Sequence, residues 1–164
     1  MVLAVPVAMK LEIPGTVSEI MVRDVVSVDE SDSLNDLLTS LHAMRFRHLP
    51  VTDGDRLIGL LTERDLLGIA TSSLWPHHGE QDRALQTRFR VRDIMVKDVT
   101  TVSPDTSVRE AGKLLLQQRF GCLPVVDANN VLLGILTSSD FVRLVAHAQG
   151  GGGTPLRSRA AETQ

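Results

Sequence analysis

The sequence is poor in aromatic residues: it has no tyrosine, one tryptophan and four phenylalanines, 3% of its 164 residues. Its core must therefore be aliphatic. A surface for single-stranded nucleic acid, which stacks bases on aromatic rings, lacks its platforms. Basic charge is also scarce. The formal net charge is −3, so no broad positive field exists to hold a phosphodiester backbone, although a small anionic ligand needs only one or two local cations. The single cysteine, Cys122, excludes an internal disulfide framework and a multi-cysteine metal site. It stands in an apolar strand pattern and reads as a packing residue. No run approaches the roughly 18 apolar residues of a membrane span. The apolar stretch Val2–Met9 is short, contains Pro6 and lacks a basic start, so it does not read as a secretory signal. The expectation is a cytoplasmic protein, with no nucleic acid and no membrane among its partners. At 43% hydrophobic and 23% charged residues, the composition suits one soluble domain with a substantial core.

What the chain does have is a repeat. Residues 20–66 contain Ile-Met-Val-Arg-Asp-Val, then His-Leu-Pro-Val-Thr-Asp, then Leu-Ile-Gly-Leu-Leu-Thr-Glu-Arg-Asp; residues 94–141 contain close copies of all three in the same order. Met95 follows Met21 by 74 residues, as Pro124 follows Pro50, whereas Gly134 follows Gly59 by 75. The second copy thus carries one extra residue, in the turn around Asn129-Asn130. A long internal repeat predicts a pseudo-symmetric pair, with ligand sites in the cleft between the copies. The parts are an N-terminal segment 1–16, copy one at 17–72, a connection at 73–90, copy two at 91–147, and a flexible glycine-rich tail at 148–164.

Each copy reads as β-α-β-β-α, an α/β (α+β) fold of two pseudo-symmetric units packed sheet to sheet. The β-branched runs Val25–Val28 and Val99–Val102 predict first strands. Leu34, Leu37, Leu38, Leu41 and Met44 fall on one helical face, with Ser33 as N-cap. In copy two, Ser107 and Glu110 form a capping-box pattern ahead of Val108, Ala111 and Leu115. His48–Thr52 and Arg56–Thr62 flank the turn Asp53-Gly54-Asp55, and Cys122–Val126 and Val131–Thr137 flank Asp127–Asn130. Last helices are predicted over Glu63–Ser72 and Ser138–His147. The connection holds Trp75-Pro76, His77-His78 and a helical stretch, 80–90. The paired histidines have no third ligand at metal spacing and read as a polar loop.

Chemistry concentrates in a twice-used pattern, glycine, two hydrophobic residues, threonine, two variable residues, aspartate: Gly59 to Asp65 and Gly134 to Asp140. Threonine ends a strand, and aspartate falls in the first turn of the following helix. Hydroxyl and carboxylate then share one small space. A carboxylate accepting two hydrogen bonds suits a vicinal diol such as a ribose, and the helix start beside it favours an anion. The glycine lets a flat ring or another backbone approach closely. The same four-residue spacing is also a plain helix cap, threonine at N-cap and aspartate three residues on. From these residues alone, both readings stand.

Taken together, the paired Ile-Met-x-x-Asp-Val openings, Leu-Pro-Val-x-Asp strands and glycine-to-aspartate endings resemble a tandem pair of CBS domains, a Bateman module, over about residues 17–147. The resemblance implies a non-catalytic regulatory module that binds an adenosine compound (AMP, ADP, ATP or S-adenosylmethionine) between its repeats. It assigns the ribose hydroxyls to Asp65 and Asp140, with added contacts from Thr62 and Thr137. Leu60 and Ile135 would line the pocket. Val26, Ser27, Thr100 and Thr101 would meet the adenine. Arg47 and His48, just before Leu-Pro, point to the phosphates, with Arg64 beside them. Copy two has Gly121 and Cys122 for Arg47 and His48, and Ser139 for Arg64, so the phosphate-binding cations are expected mainly from copy one. The resemblance also implies a homodimer built on the outer helices and an effector protein on another chain. The alternative is a structural or oligomerisation module that no longer binds a nucleotide. Catalysis is poorly motivated, because the Thr-Asp pairs have no general-acid partner in the sequence.

Overall fold

A computed structural model describes residues 14–41, 47–70 and 89–147. The expected segments around Met44, Trp75, His77-His78 and most of 80–90, together with the N-terminal residues to 13 and the tail from 148, lie outside the described residues. Copy one supplies β1 (Val28–Asp29), α1 (Leu34–Leu41), β2 (His48–Asp53), β3 (Arg56–Thr62) and α2 (Glu63–Ala70). Copy two supplies α3 (Val108–Gln118), β4 (Cys122–Val126), β5 (Leu132–Thr137) and α4 (Ser138–His147). Each copy opens on a 3-10 turn, Val17–Glu19 or Val91–Asp93.

The mixed α/β fold and its internal symmetry are as the repeat predicts. In copy one β2 and β3 are antiparallel, pairing His48 with Thr62, Pro50 with Leu60 and Val51 with Gly59. In copy two β4 and β5 pair Cys122 with Thr137, Pro124 with Ile135 and Val125 with Gly134. The match extends to an irregularity at one place in both ladders, between Val51 and Thr52 and between Val125 and Val126. Ser107 caps α3 by accepting the Glu110 amide at 3.1 Å, and Val108, Ala111 and Leu115 are buried on its inner face.

The expected first strands shrink almost to nothing. Only Val28 and Asp29 form a strand in copy one, parallel to Val51 and Thr52, and in copy two only Val102 bridges Val125. Val25–Ser27 and Val99–Thr101 run outside any ladder. Their β-branched composition is strand-like, but each opening is spent on another task.

That task is to cross into the other copy. Val22 exchanges two 2.9 Å backbone hydrogen bonds with Ile135, and Val96 exchanges two of the same length with Leu60. The apolar cores follow suit. Val17, Ile20 and Met21 of copy one are buried among Val108, Leu115, Leu123 and Leu136 of copy two. Val91, buried, with Ile94 and Met95 packed beside it, completes the cluster of Leu34, Leu49, Leu61 and Leu66 in copy one. Each core is thus closed by the opening residues of the other repeat.

The strand glycines make this crossing possible. A β-carbon on Gly59 would stand 2.7 Å from Met95 Sδ and 3.1 Å from the Val96 carbonyl; one on Gly134 would stand 2.8 Å from the Val22 carbonyl and 2.9 Å from Met21 Sδ. Such contacts are too short to survive, so the close backbone approach read from the motif serves the partner repeat's own chain.

Candidate functional site

The two Thr-x-x-Asp endings adopt the cap geometry. In copy one, Asp65 Oδ2 accepts from the Thr62 amide at 2.9 Å and the Thr62 hydroxyl at 2.6 Å, and the Asp65 amide donates to Thr62 Oγ1 at 3.3 Å. In copy two, Asp140 Oδ2 accepts from the Thr137 amide at 2.7 Å and the hydroxyl at 2.8 Å. One oxygen of each carboxylate is therefore consumed in starting the helix. The remaining oxygens differ. Asp140 Oδ1 accepts from Arg143 Nη1 at 3.0 Å, and the residue is buried. Asp65 is only half-buried, and among the described residues its Oδ1 has no partner.

Beside the copy-one ending lies a cleft of about 980 Å³ between the repeats. Copy one contributes Arg47 and His48 from the start of β2, Leu60 and Thr62 from β3, and Glu63, Arg64, Leu67 and Gly68 from α2. Copy two contributes Val96, Asp98, Val99 and Thr100 from its crossing segment, and Arg119, Phe120, Gly121 and Cys122 from the entry to β4. The cleft has apolar walls and a charged rim. Leu67, Val96 and Phe120 are large hydrophobic side chains left exposed, while Arg47, Arg64 and Arg119 are exposed cations on the same cleft. Asp65 stands at the head of the helix whose Arg64, Leu67 and Gly68 line it.

His48 sits half-buried at the middle of this wall, with its ring packed against the backbone of Gly121: a β-carbon there would come within 2.8 Å of His48 Cε1. Burial, and secondarily the charge of Arg47, pull its pKa below the ordinary histidine value. Cys122 is buried at the cleft floor, and desolvation pushes its thiol up to about 12, so it is protonated and inert at neutral pH.

Of the residues singled out from sequence, the cleft brings together Arg47, His48, Leu60, Thr62, Arg64 and Thr100. Val26, Ser27, Asp65, Thr101, Ile135, Thr137 and Asp140 are not in its lining, although Thr62, whose hydroxyl donates to Asp65, is. Val26 is exposed, Ser27 accepts a long 3.4 Å hydrogen bond from Thr52, and Ile135 is buried under its pairing with Val22. Two of the three arginines lining the cleft, Arg47 and Arg64, come from copy one, and Arg119 of copy two is an addition the sequence reading did not name. It ends α3 in the left-handed conformation (φ 56°), which turns the chain into the cleft. The repeat offset could have found it, since Arg119-Phe120 are the counterparts of Arg45-Phe46, one step upstream of the pair compared. Among the described residues, no group of three histidine, cysteine or acidic side chains is placed to hold a metal, and no helix is long and apolar enough to cross a membrane.

Comparison with known proteins gives one answer. The CBS domain family model matches twice, at residues 17–71 and 91–147. A CBS domain-containing protein of Dictyostelium discoideum is 34% identical over 131 residues, covering 79% of this chain and 90% of that protein. The structure of CBSX2, an Arabidopsis thaliana CBS-pair protein, in complex with AMP superposes with a TM-score of 0.69 at 30% identity, covering 84% of this chain and all of that one. MJ1225 of Methanocaldococcus jannaschii superposes with a TM-score of 0.71 at 27% identity over 83% of this chain, which spans only 49% of that protein's length.

Proposed function

Because the chain belongs to the CBS-domain family, as a tandem pair of such domains, we propose that it is a non-catalytic regulatory module that binds an adenosine-containing ligand between its repeats. The observation that carries this reading is the cleft itself. Exposed Leu67, Val96 and Phe120 offer apolar faces that a purine would fit, and Arg47, Arg64 and Arg119 on the same cleft supply cations a phosphate would take. A site with a hydrophobic body and a few placed cations is suited to a nucleotide.

In this reading the free oxygen of Asp65 takes a ribose hydroxyl, Thr62 adds a contact, Leu60 and Thr100 border the base, and Arg47, His48, Arg64 and Arg119 hold phosphate. By repeat symmetry Val26, Ser27, Ile135, Thr137 and Asp140 stand at the corresponding positions of the other half, Thr101 being the counterpart of Ser27, and all lie outside the lining of this cleft. AMP bound to a relative 30% identical supports the ligand class, which takes in AMP, ADP, ATP and S-adenosylmethionine. The module works in the cytoplasm as a homodimer and passes its ligand state to an effector protein.

A second reading, a structural module that has lost its ligand, draws on Asp140, both of whose oxygens are engaged inside the protein. Calorimetric titration with AMP, ATP and S-adenosylmethionine separates the two. Saturable binding of any of them supports the first reading, and binding of none overturns it. Release of phosphate from ATP at enzymatic rates would overturn the non-catalytic part.

A further inference from the structure

The two repeats end in the same motif, and among the described residues only Asp65 keeps a carboxylate oxygen without a partner. Asp65 and Asp140 hold the same pair of threonine hydrogen bonds through Oδ2. The difference lies three residues on. In copy two that residue is Arg143, whose guanidinium donates to Asp140 Oδ1 at 3.0 Å while its own side chain is 53% exposed and that of Asp140 only 4%. In copy one the counterpart is Gly68, which lines the cleft and could carry a β-carbon without meeting any atom within 4 Å. Packing does not require glycine there, and glycine within a helix is destabilising relative to alanine. Among the described residues, Asp65 Oδ1 has no cation beside it, and position 68 puts no side chain into the cleft.

We propose that Arg143 is a built-in occupant of the Asp140 site, so that the chain binds one adenosine ligand, at the Asp65 ending, rather than two. This rests on the adenosine-ligand reading above and adds to it an inequivalence between the halves. A neutral ribose hydroxyl arriving at Asp140 must compete with a charged donor at a buried carboxylate, and charge-assisted hydrogen bonds are the stronger kind. At Asp65 the same hydroxyl meets an oxygen with no partner among the described residues. The pseudo-symmetric pair thereby becomes a one-site sensor, with its second ending locked shut by its own side chain.

Isothermal titration with AMP and, in parallel, ATP reads this directly. The expected result is one equivalent per chain for the unmodified protein, with affinity reduced at least tenfold by Asp65→Asn and unchanged within twofold by Asp140→Asn. Arg143→Ala, an exposed helix position that retains the fold, should reveal a second equivalent. Two equivalents in the unmodified protein would overturn the inference and leave the adenosine reading standing. So would loss of binding in Asp140→Asn but not Asp65→Asn, or an unchanged single equivalent in Arg143→Ala. A thermal melt of each variant identifies any that is unfolded, and Arg143→Gln then replaces Arg143→Ala. Absence of binding by both nucleotides to the unmodified protein overturns the adenosine reading itself, and this inference with it.

Discussion

Asn130 donates its side-chain amide to the carbonyl of Leu57 at 2.6 Å, and Leu57 returns its own amide to the Asn130 carbonyl at 3.0 Å. The one extra residue of the second repeat is thus part of a clasp between the two β-hairpins. Asn130 also lies in the left-handed region, φ 64°. Replacement by glycine keeps the conformation and loses the side-chain bond, at a cost of about 1 kcal/mol. Replacement by alanine adds roughly 1 kcal/mol more for the backbone. Urea unfolding should rank the variants in that order.

Gly134→Ala should destabilise more than Gly59→Ala. At Gly134 the nearest obstruction is the Val22 carbonyl, fixed backbone, whereas at Gly59 it is the flexible end of Met95. Overpacking of this sort costs about 1–3 kcal/mol. Thermal midpoints of the two variants check the ranking. Equal midpoints would argue against the close crossing of the openings.

The two aspartates should separate stability from binding. Asp65→Ala removes a cap, costing about 0.5–2 kcal/mol. It also removes the proposed ribose acceptor, lowering adenosine-nucleotide affinity roughly 10- to 150-fold if the lost bond is of the charged kind. Asp140→Ala should fall at the upper end of the same stability range. It removes a buried carboxylate with three donors, the Thr137 amide, the Thr137 hydroxyl and Arg143.

His48 predicts a pH dependence. Its folded pKa lies below the ordinary histidine value of 6.5, because burial and then Arg47 disfavour the charged ring. The unfolded chain therefore takes up a proton before the folded one does. Stability from this group is complete above about pH 6.5 and declines as pH falls from there toward the depressed folded value. His48→Gln should flatten the thermal midpoint between pH 7 and pH 5 relative to the unmodified protein.

Cys122 should resist thiol reagents at pH 7 in the folded protein and react at once on unfolding in guanidinium, because its thiol is buried and held protonated with a pKa of about 12. Rapid labelling of the native protein would mean that the cleft floor opens.

Much of the fold was legible from periodicity and turn chemistry. Arg56–Thr62, Cys122–Val126 and Ser138–His147 begin and end where the apolar runs and the turns Asp53–Asp55 and Asp127–Asn130 place them. The first strands were not legible, because Val25–Val28 and Val99–Val102 have strand composition but most of their residues run between the repeats without a ladder. The exchange of openings was hidden for a related reason. A repeat says that Met21 and Met95 are equivalent, but equivalent residues can fill either core, and sequence alone cannot choose between them. At the site, the Thr-x-x-Asp pattern was readable as both cap and diol acceptor, and the structure shows the cap at both places. Arg119 was missed because its conspicuous neighbours Gly121 and Cys122 suggested an uncharged entry to β4. The contrast between Gly68 and Arg143 lay in plain view one helical turn past the motif, but its meaning needed the distance from Arg143 to Asp140.

The reciprocal burial of Val17 and Val91, each in the other repeat's core, also bears on how such a chain comes to exist. A lone repeat with this sequence would bury its own body under the opening of a second molecule, and a second molecule under its own. It would be an obligate, concentration-dependent pair. Joining two such units in one polypeptide turns that encounter into an internal one, at an effective concentration on the order of millimolar. The copies are then free to diverge, one keeping an open pocket while the other stabilises the whole. Within one polypeptide each core is closed by the other repeat's opening, with no second molecule needed.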